Sequence, residues 1–309
     1  MKNGIKVFAP ASIGNIGVGF DVLGCALEKP GDEIIGRLVP EKGVHIVEIT
    51  GAKLPKEAEK NTAGVAALEV LKHLGETNWG IEMRIHKKMP FGSGLGSSAA
   101  SAAAGAYLAS ELLKSGLSKR ELLPFALAGE AIASGGIHAD NVAPSLIGGI
   151  ILVRDSETCD VHRLHVPRGL FATVIYPHVE VLTKNARGIL STEVSLKKMV
   201  EQSANLGGFI VGLYNSDFPL ISRSLKDVVI EPQRAALIPH FEEVKAAALS
   251  EFGVLGCSIS GSGPSIFALS QNSLAAEKAA DAMRKVYEKH KIRHQVYLSP
   301  INQEGAILY

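Results

Sequence analysis

The stretch PFGSGLGSSAAS, Pro90 to Ser101, sets Gly92, Gly94 and Gly96 around Ser93 and Leu95, then continues through Ser97 and Ser98 into an alanine-rich run. Glycines let a backbone come close to a ligand and turn successive N–H groups inward. A helix that follows adds its unsatisfied N–H groups and the positive end of its dipole. Such a segment suits a phosphate. It equally suits a flexible turn before a helix of small residues, so its own residues leave the choice open.

Other polar residues sit where they could serve a site. In PASIGNIGVGFDVLGCAL, Pro10 to Leu27, Asn15 lies among Gly14, Gly17 and Gly19, with Asp21 just beyond. Both polar residues are good turn formers, and both could wall a ligand. Leu123, Ala126, Leu127 and Glu130 share a helical face, which puts a carboxylate on an apolar side; a metal ion, a core arginine or a proton would satisfy it. The segment SGGIHADNVAPSLIGG, Ser134 to Gly149, places His138, Asp140 and Asn141 in a turn ahead of a strand. Thr183 and Arg187 fall in the loop TKNARGIL, and Arg234 follows in EPQRAALIP. A guanidinium fork binds carboxylate or phosphate well, although most arginines simply face solvent.

The elements that must position these residues read as mixed α and β. Ile5 to Ala9 is a first strand, and Glu33 to Val39 with Val44 to Thr50 alternate as an antiparallel pair. Asn61 or Thr62 caps a helix with Val65, Leu68, Leu71 and Leu74 at helical spacing, ended by Gly75. Ile81, Met83 and Ile85 form a strand that feeds the glycine-rich loop, and Ser97 to Lys114 is the helix after it. Ser118 and Glu121 make a capping box for a helix through about Ala133. Gly149 to Val153 is again a strand. The polar run Arg154 to Asp160 is the expected seam, giving one unit over 1–160 and a second over 161–309. Strands Val161 to Val166 and Phe171 to Tyr176 open the second unit, followed by helices from Ser195 to Tyr214 and Phe218 to Leu225. Val254 to Leu269 is a strand–loop–strand around Gly261, Gly263 and Pro264, before a last amphipathic helix, Ser273 to Lys291, and a strand through Val296.

Composition narrows the function classes. The chain has 309 residues, 46% hydrophobic and 20% charged, with a formal net charge of +1 and no long basic run. Neither a nucleic-acid surface nor a membrane surface is expected as the main partner. Cys25, Cys159 and Cys257 are far apart and show no metal-ligand spacing, so reduced thiols in a cytoplasmic protein are expected. The N-terminal residues lack the pattern of a signal peptide. No GxSxG or HExxH pattern supports a hydrolase.

Two nucleotide motifs fail on context. No lysine lies inside the glycine-rich loop, which excludes the GxxxxGK[ST] phosphate loop. Gly94, Gly96 and Ala99 fit a dinucleotide fingerprint, yet the acid expected about 20 residues on, at the end of a second strand, is missing. A nucleoside triphosphate held by a different architecture fits better.

Three stretches, Pro10 to Leu27, Pro90 to Ser101 and Gly256 to Leu269, resemble in order and spacing the three motifs of the GHMP kinases, and the resemblance covers the whole chain. The first of these and the HADN segment at His138 to Asn141 look most like the homoserine kinase branch. Where relatives more often have Ser-Ala-Asn-Leu-Gly-Pro, this chain has Ile13, Gly14, Asn15, Ile16, Gly17 and Val18. The resemblance implies an α+β fold of two domains, a ribosomal-protein-S5-like N-terminal one and a ferredoxin-like C-terminal one. It further implies ATP and Mg²⁺ as cofactors, L-homoserine as the small-molecule substrate, a step in threonine biosynthesis, and a homodimer.

Carried over by position, the resemblance lays the loop from Pro90 through Gly92, Ser93, Gly94, Leu95, Gly96, Ser97 and Ser98 around the ATP phosphates, with Asn61 and Lys87 toward the nucleoside. Ser98 and Glu130 would hold Mg²⁺. Asn15, Asp21 and His138 would lie near the substrate's α-amino group and Arg187 and Arg234 on its carboxylate. Asn141, Thr183 and Arg187 are expected at the reacting centre. Related branches have an aspartate base where this chain has Asn141, so catalysis here is expected to rest on positioning and charge stabilisation, with Asp140 the rival candidate for a base. Two alternatives stay open: another small alcohol such as mevalonate or a sugar as acceptor, or a non-catalytic ATP-binding relative.

Overall fold

The computed structural model describes residues 4–75, 78–134 and 138–309, without the side chains of Ala133 and Ser134. The part of the Ser134 to Gly149 reading that falls on 135–137 lies outside the described residues.

The first sheet is built from β1 (Ile5–Gly14), β2 (Leu23–Val39), β3 (Gly43–Thr50) and, after helix α1 (Thr62–His73), β4 (Gly80–His86). Helices α2 (Ser97–Leu113), α3 (Lys119–Ser134) and α4 (Ala139–Ile147) follow, then β5 (Ile150–Asp155) and β6 (Asp160–Leu164). The second sheet begins with β7 (Phe171–Pro177). After it come α5 (Thr183–Gly188), α6 (Leu196–Asn215), α7 (Phe218–Ser224), α8 (Glu231–Arg234) and α9 (Phe241–Leu249). β8 (Val254–Ile259), β9 (Ile266–Ser270), α10 (Ser273–Lys289), β10 (His294–Pro300) and the short β11 (Ile307–Leu308) complete the chain.

Strand order in the first sheet is β11-β1-β2-β4-β3, with β5 joining β2 and carrying β6; in the second it is β10-β7-β9-β8. Three sequence expectations are corrected by these pairings. The strands at Glu33 to Val39 and Val44 to Thr50 are not partners: β4 inserts between them, antiparallel to β2 and parallel to β3. Alternation of apolar residues defines the buried face of a strand and says nothing about which neighbour it takes. The strand expected to open the second unit, β6, pairs antiparallel with β5 in the first sheet, from Ile150↔Leu164 to Asp155↔Asp160. The first strand, expected over Ile5 to Ala9, runs on to Gly14, and β2 begins at Leu23, so only 15–22 of the Pro10 to Leu27 stretch lies between strands.

Helices α1, α2 and α3 pack on one another, and α2 lies against β1 and β2. Its alanines make that close approach possible: Ala99, Ala100, Ala102, Ala103, Ala104 and Ala106 are all fully buried. Asn61 caps α1, its Oδ1 accepting from Ala63 N and Gly64 N. Ser118 and Glu121 close the expected box at the start of α3, with Glu121 Oε2 accepting from Ser118 N at 2.8 Å and Ser118 Oγ at 2.7 Å. A second apolar cluster, including Ile175, Phe241, Val244, Met283 and Tyr287, fills the space between the second sheet and helices α9 and α10. Among the described residues no helix is long and apolar enough to cross a membrane.

Two short helices replace expected loops. α4 carries Asp140 and Asn141, with His138 at its N-cap, and α5 carries Thr183 and Arg187. Asn141 and Pro144 at the first place, and Asn185 and Gly188 at the second, argue locally for turns. Burial of Ala139, Val142, Ala143 and Leu146 holds α4 as a helix, and it seats so closely that a Cβ on Gly24 of β2 would fall 1.6 Å from the Asp140 carbonyl oxygen. Tertiary packing outweighs local preference there.

Candidate active site

The three glycine-rich stretches are laced together by backbone hydrogen bonds. Ser12 N donates to Leu95 O at 3.0 Å, Gly261 N to Gly14 O at 3.1 Å and Ser265 N to Ser93 O at 3.2 Å. Side chains complete the seam. Asn15 Nδ2 donates to Gly261 O at 2.8 Å, and Ser260 Oγ to Gly94 O at 2.6 Å. Chain segments far apart in sequence thus form one surface.

Gly92, Gly94 and Gly96 adopt φ of +62°, +76° and +66°, the left-handed region that residues with a Cβ avoid. At Gly96 the space is also closed, since a Cβ would lie 2.1 Å from Ser12 Oγ. Gly96 is the N-cap of α2 and offers no side-chain acceptor, so no capping group competes for the first N–H groups of this long helix. The loop and helix start therefore have the features of an anion cradle.

They open onto a cavity of about 460 Å³, within the size range of small-molecule sites. Ser93, Ser97, Ser98 and the three loop glycines line one part of it, with Glu130 beside them. Ser98 Oγ donates to Glu130 Oε1 at 3.0 Å, and His138 Nδ1 is 3.9 Å from the same oxygen. The neighbouring Glu130 carboxylate raises the pKa of His138, although burial opposes it.

Asp21, Arg187 and Arg234 line another part. Arg187 Nη1 and Nη2 donate to Asp21 Oδ2 and Oδ1 at 2.9 and 3.0 Å, a bidentate fork. Phe20 supports both arginines, its ring centre 5.5 Å from the Arg187 guanidinium carbon and 5.1 Å from that of Arg234. Arg234 is buried and held by the Ala186 and Gly261 carbonyls, each accepting at 3.1 Å. Burial, then the like charge of Arg187, lowers the pKa of Arg234. Asn15 lines the cavity, but its amide is engaged structurally, accepting from Asp21 N at 3.0 Å while donating to Gly261.

Asp140, Asn141 and Thr183 also line the cavity. Asn141 Oδ1 accepts from Ser12 Oγ at 3.0 Å, and its Nδ2 donates to Asp140 Oδ2 at 3.2 Å. Asp140 is buried, and desolvation followed by the charge of Asp21 pushes its pKa up to about 6. Thr183 Oγ1 is 3.3 Å from Ser262 Oγ.

Four residues expected at the site do not line this cavity: Asn61, Lys87, Pro90 and Leu95. Asn61 is engaged as the cap of α1 and donates to Pro55 O at 2.9 Å. Lys87, expected toward the nucleoside, is buried in an ion pair with Asp32; its ammonium also donates to Ser97 O and Ser101 Oγ, both at 2.7 Å. Sequence reasoning missed Asp32, Ser12 and Phe20. The β2–β4 register pairs Glu33 with His86, which brings Asp32 beside Lys87; only that pairing reveals the acid's partner.

Two family models match the chain: the GHMP kinases N terminal domain over residues 61–149 and the GHMP kinases C terminal over 209–289. The chain is 44% identical over 313 aligned positions to the homoserine kinase of Chlorobium phaeobacteroides strain BS1, covering 97% of each. It is likewise 44% identical to the homoserine kinase of Chloroherpeton thalassium, again covering 97% of each. A crystal structure of homoserine kinase from Cytophaga hutchinsonii superposes with a TM-score of 0.96 at 52% identity, covering 100% of this chain and 98% of that one. The mevalonate kinase of L. major, at 15% identity, 96% coverage of each chain and a TM-score of 0.71, shares the fold. With both terminal domains matched and relatives this similar along nearly the full length, the chain belongs to the GHMP kinase family.

Proposed function

We propose that this chain transfers the γ-phosphoryl group of ATP to the side-chain hydroxyl of L-homoserine, with Mg²⁺ as the metal. The observation that carries the reading is one cavity with an anion cradle at Gly92 to Ser98 and a separate charge set, Asp21 with Arg187 and Arg234, suited to a zwitterion. Neither mevalonate nor a sugar has an ammonium for Asp21 to meet. The names of the most similar relatives agree with that choice of substrate.

The donors at the cradle suit the metal. Ser98 and Glu130 present a hydroxyl and a carboxylate that touch at 3.0 Å. Mg²⁺ prefers such hard oxygen donors, taking one or two carboxylates and completing its shell with water and phosphate oxygens. When bound, Mg²⁺ supplies neutralisation of the phosphate charge.

This chain's own residues then do the following. The first N–H groups of α2 and the loop amides hold phosphate oxygens. Asp21 takes the α-ammonium, and the arginines take the carboxylate, which fixes the reacting hydroxyl between the two halves of the cavity. Asn141, oriented by Ser12, and Thr183 position that hydroxyl. An amide cannot accept a proton at neutral pH, so Asn141 acts by placement, and phosphoryl transfer tolerates a late proton transfer.

A coupled assay with ATP and each of L-homoserine, mevalonate and galactose tests the reading. ADP formation that depends on homoserine is expected. Its absence overturns the assignment, and activity with mevalonate or galactose alone would reassign the acceptor.

A further inference from the structure

Outside the lining of the cavity, α9 and α10 bring together three side chains that the proposed reaction does not use. His240 is the N-cap of α9 in the left-handed region, at φ +54°, and His290 is the C-cap of α10. Their rings stack with centroids 3.5 Å apart and planes 11° from parallel. Glu243, in the first turn of α9, faces both. Its Oε2 lies 2.6 Å from His290 Nε2 and 3.9 Å from His240 Nδ1, while Lys289 occupies its Oε1 at 2.7 Å. One carboxylate oxygen and two imidazole nitrogens thus converge, all within 4.8 Å of one another.

We propose that His240, Glu243 and His290 form a binding site for a divalent d-block cation of the Zn²⁺ class, which clips the start of α9 to the end of α10. In a tetrahedral zinc site, with ligand bonds near 2.0–2.2 Å, donor atoms stand about 3.3 Å apart. The present separations to Glu243 bracket that value, and assembly requires one imidazole to turn out of the stack so that both ring nitrogens point at a single ion. Two imidazoles with one carboxylate match Zn²⁺, Ni²⁺ or Cu²⁺ rather than Mg²⁺ or Ca²⁺, which prefer oxygen. Partial exposure of all three side chains, 38% for His240, 39% for Glu243 and 26% for His290, gives the ion a path and leaves water to complete its shell. Binding replaces the hydrogen bond between His290 and Glu243 with two metal bonds and releases any proton held on the rings. Lys289 stays on the other oxygen and keeps the carboxylate oriented.

The test is titration of the full, tag-free, chelator-treated chain with ZnCl₂ at pH 7.5, followed by calorimetry, with MgCl₂ as the control. One equivalent of Zn²⁺ is expected to bind and to raise the melting temperature. His240→Asn, His290→Asn and Glu243→Gln each weaken that binding at least about tenfold while their metal-free melting curves and circular dichroism stay close to the parent's. If the chain binds no Zn²⁺ saturably, or binds it equally well in both histidine variants, the cluster is an ion pair only and the proposal is overturned. A variant that fails to fold does not decide the matter alone, because the other two substitutions touch different elements and read the same ion.

Discussion

Arg187 on α5 lays its two terminal nitrogens on the two oxygens of Asp21 across 166 positions of sequence, at 2.9 and 3.0 Å. The pair is half-exposed and adds little to stability. It sets complementary charges side by side at the cavity wall, and on the proposed assignment a zwitterion exchanges the fork for one contact to each partner. Arg187→Lys keeps the charge and loses the fork. It should lower kcat/KM for homoserine by about 10- to 100-fold, the scale of one charged hydrogen bond, and leave the KM for ATP within about threefold. Steady-state kinetics in both substrates reads the difference, and a loss confined to ATP would put the fork on the nucleotide side.

Ser98 and Glu130 touch each other at the edge of the anion cradle. If they hold Mg²⁺, Ser98→Ala should raise the Mg²⁺ concentration for half-maximal velocity by at least about tenfold, since losing even an outer-shell partner of a metal costs about 10- to 100-fold. Homoserine binding, measured by calorimetry without nucleotide, should be unchanged. Equal loss of both would mean that the cradle serves the wrong ligand in this assignment.

Lys87 and Asp32 form a buried pair; the Lys87 ammonium also donates to Ser97 O and Ser101 Oγ at the start of α2, and Asp32 Oδ1 accepts from Lys88 N. Desolvation pulls the pKa of Lys87 down, and the Asp32 charge opposes it. Removing one partner strands the other in the interior. Lys87→Met should therefore cost about 3–5 kcal/mol of stability in urea denaturation, and the Asp32→Asn, Lys87→Met double variant should recover much of it. Additive losses would show that the two act separately.

Much of this architecture is legible in the chain. Asn61 and the Ser118–Glu121 pair announce helix starts, and alternation marks Ile81, Met83 and Ile85 as a strand, because these signals are local. The convergence of Gly14, Ser93 and Gly261 is not local. It depends on backbone bonds between loops whose sequences carry no record of their partners. Lys87 reads as a ligand-facing cation until its register neighbour Asp32 is known. The helices bearing Asn141 and Arg187 read as loops, because Pro144 and Gly188 speak locally and buried packing does not.

Asp140 and Asn141 are adjacent on α4, and only one of them can take a proton. Burial first, and the Asp21 charge second, raise the Asp140 pKa from its ordinary 3.8 to about 6. The folded protein therefore holds that proton more tightly than the unfolded chain does. The stability this contributes is fully present below about pH 4 and is lost as pH rises through about 6. Asp140→Asn, which cannot ionise, should be more stable than the parent above pH 6, by up to about 3 kcal/mol, with the gain vanishing near pH 4; urea midpoints across that range measure it. Turnover then separates the two roles. If catalysis works by placement, Asp140→Asn keeps kcat within about tenfold and Asn141→Ala loses more. If Asp140 is a general base, its amide variant falls by about 10²-fold or more above pH 6, the gap narrows below about pH 6 as the parent's own kcat/KM declines, and the base-free reading is wrong.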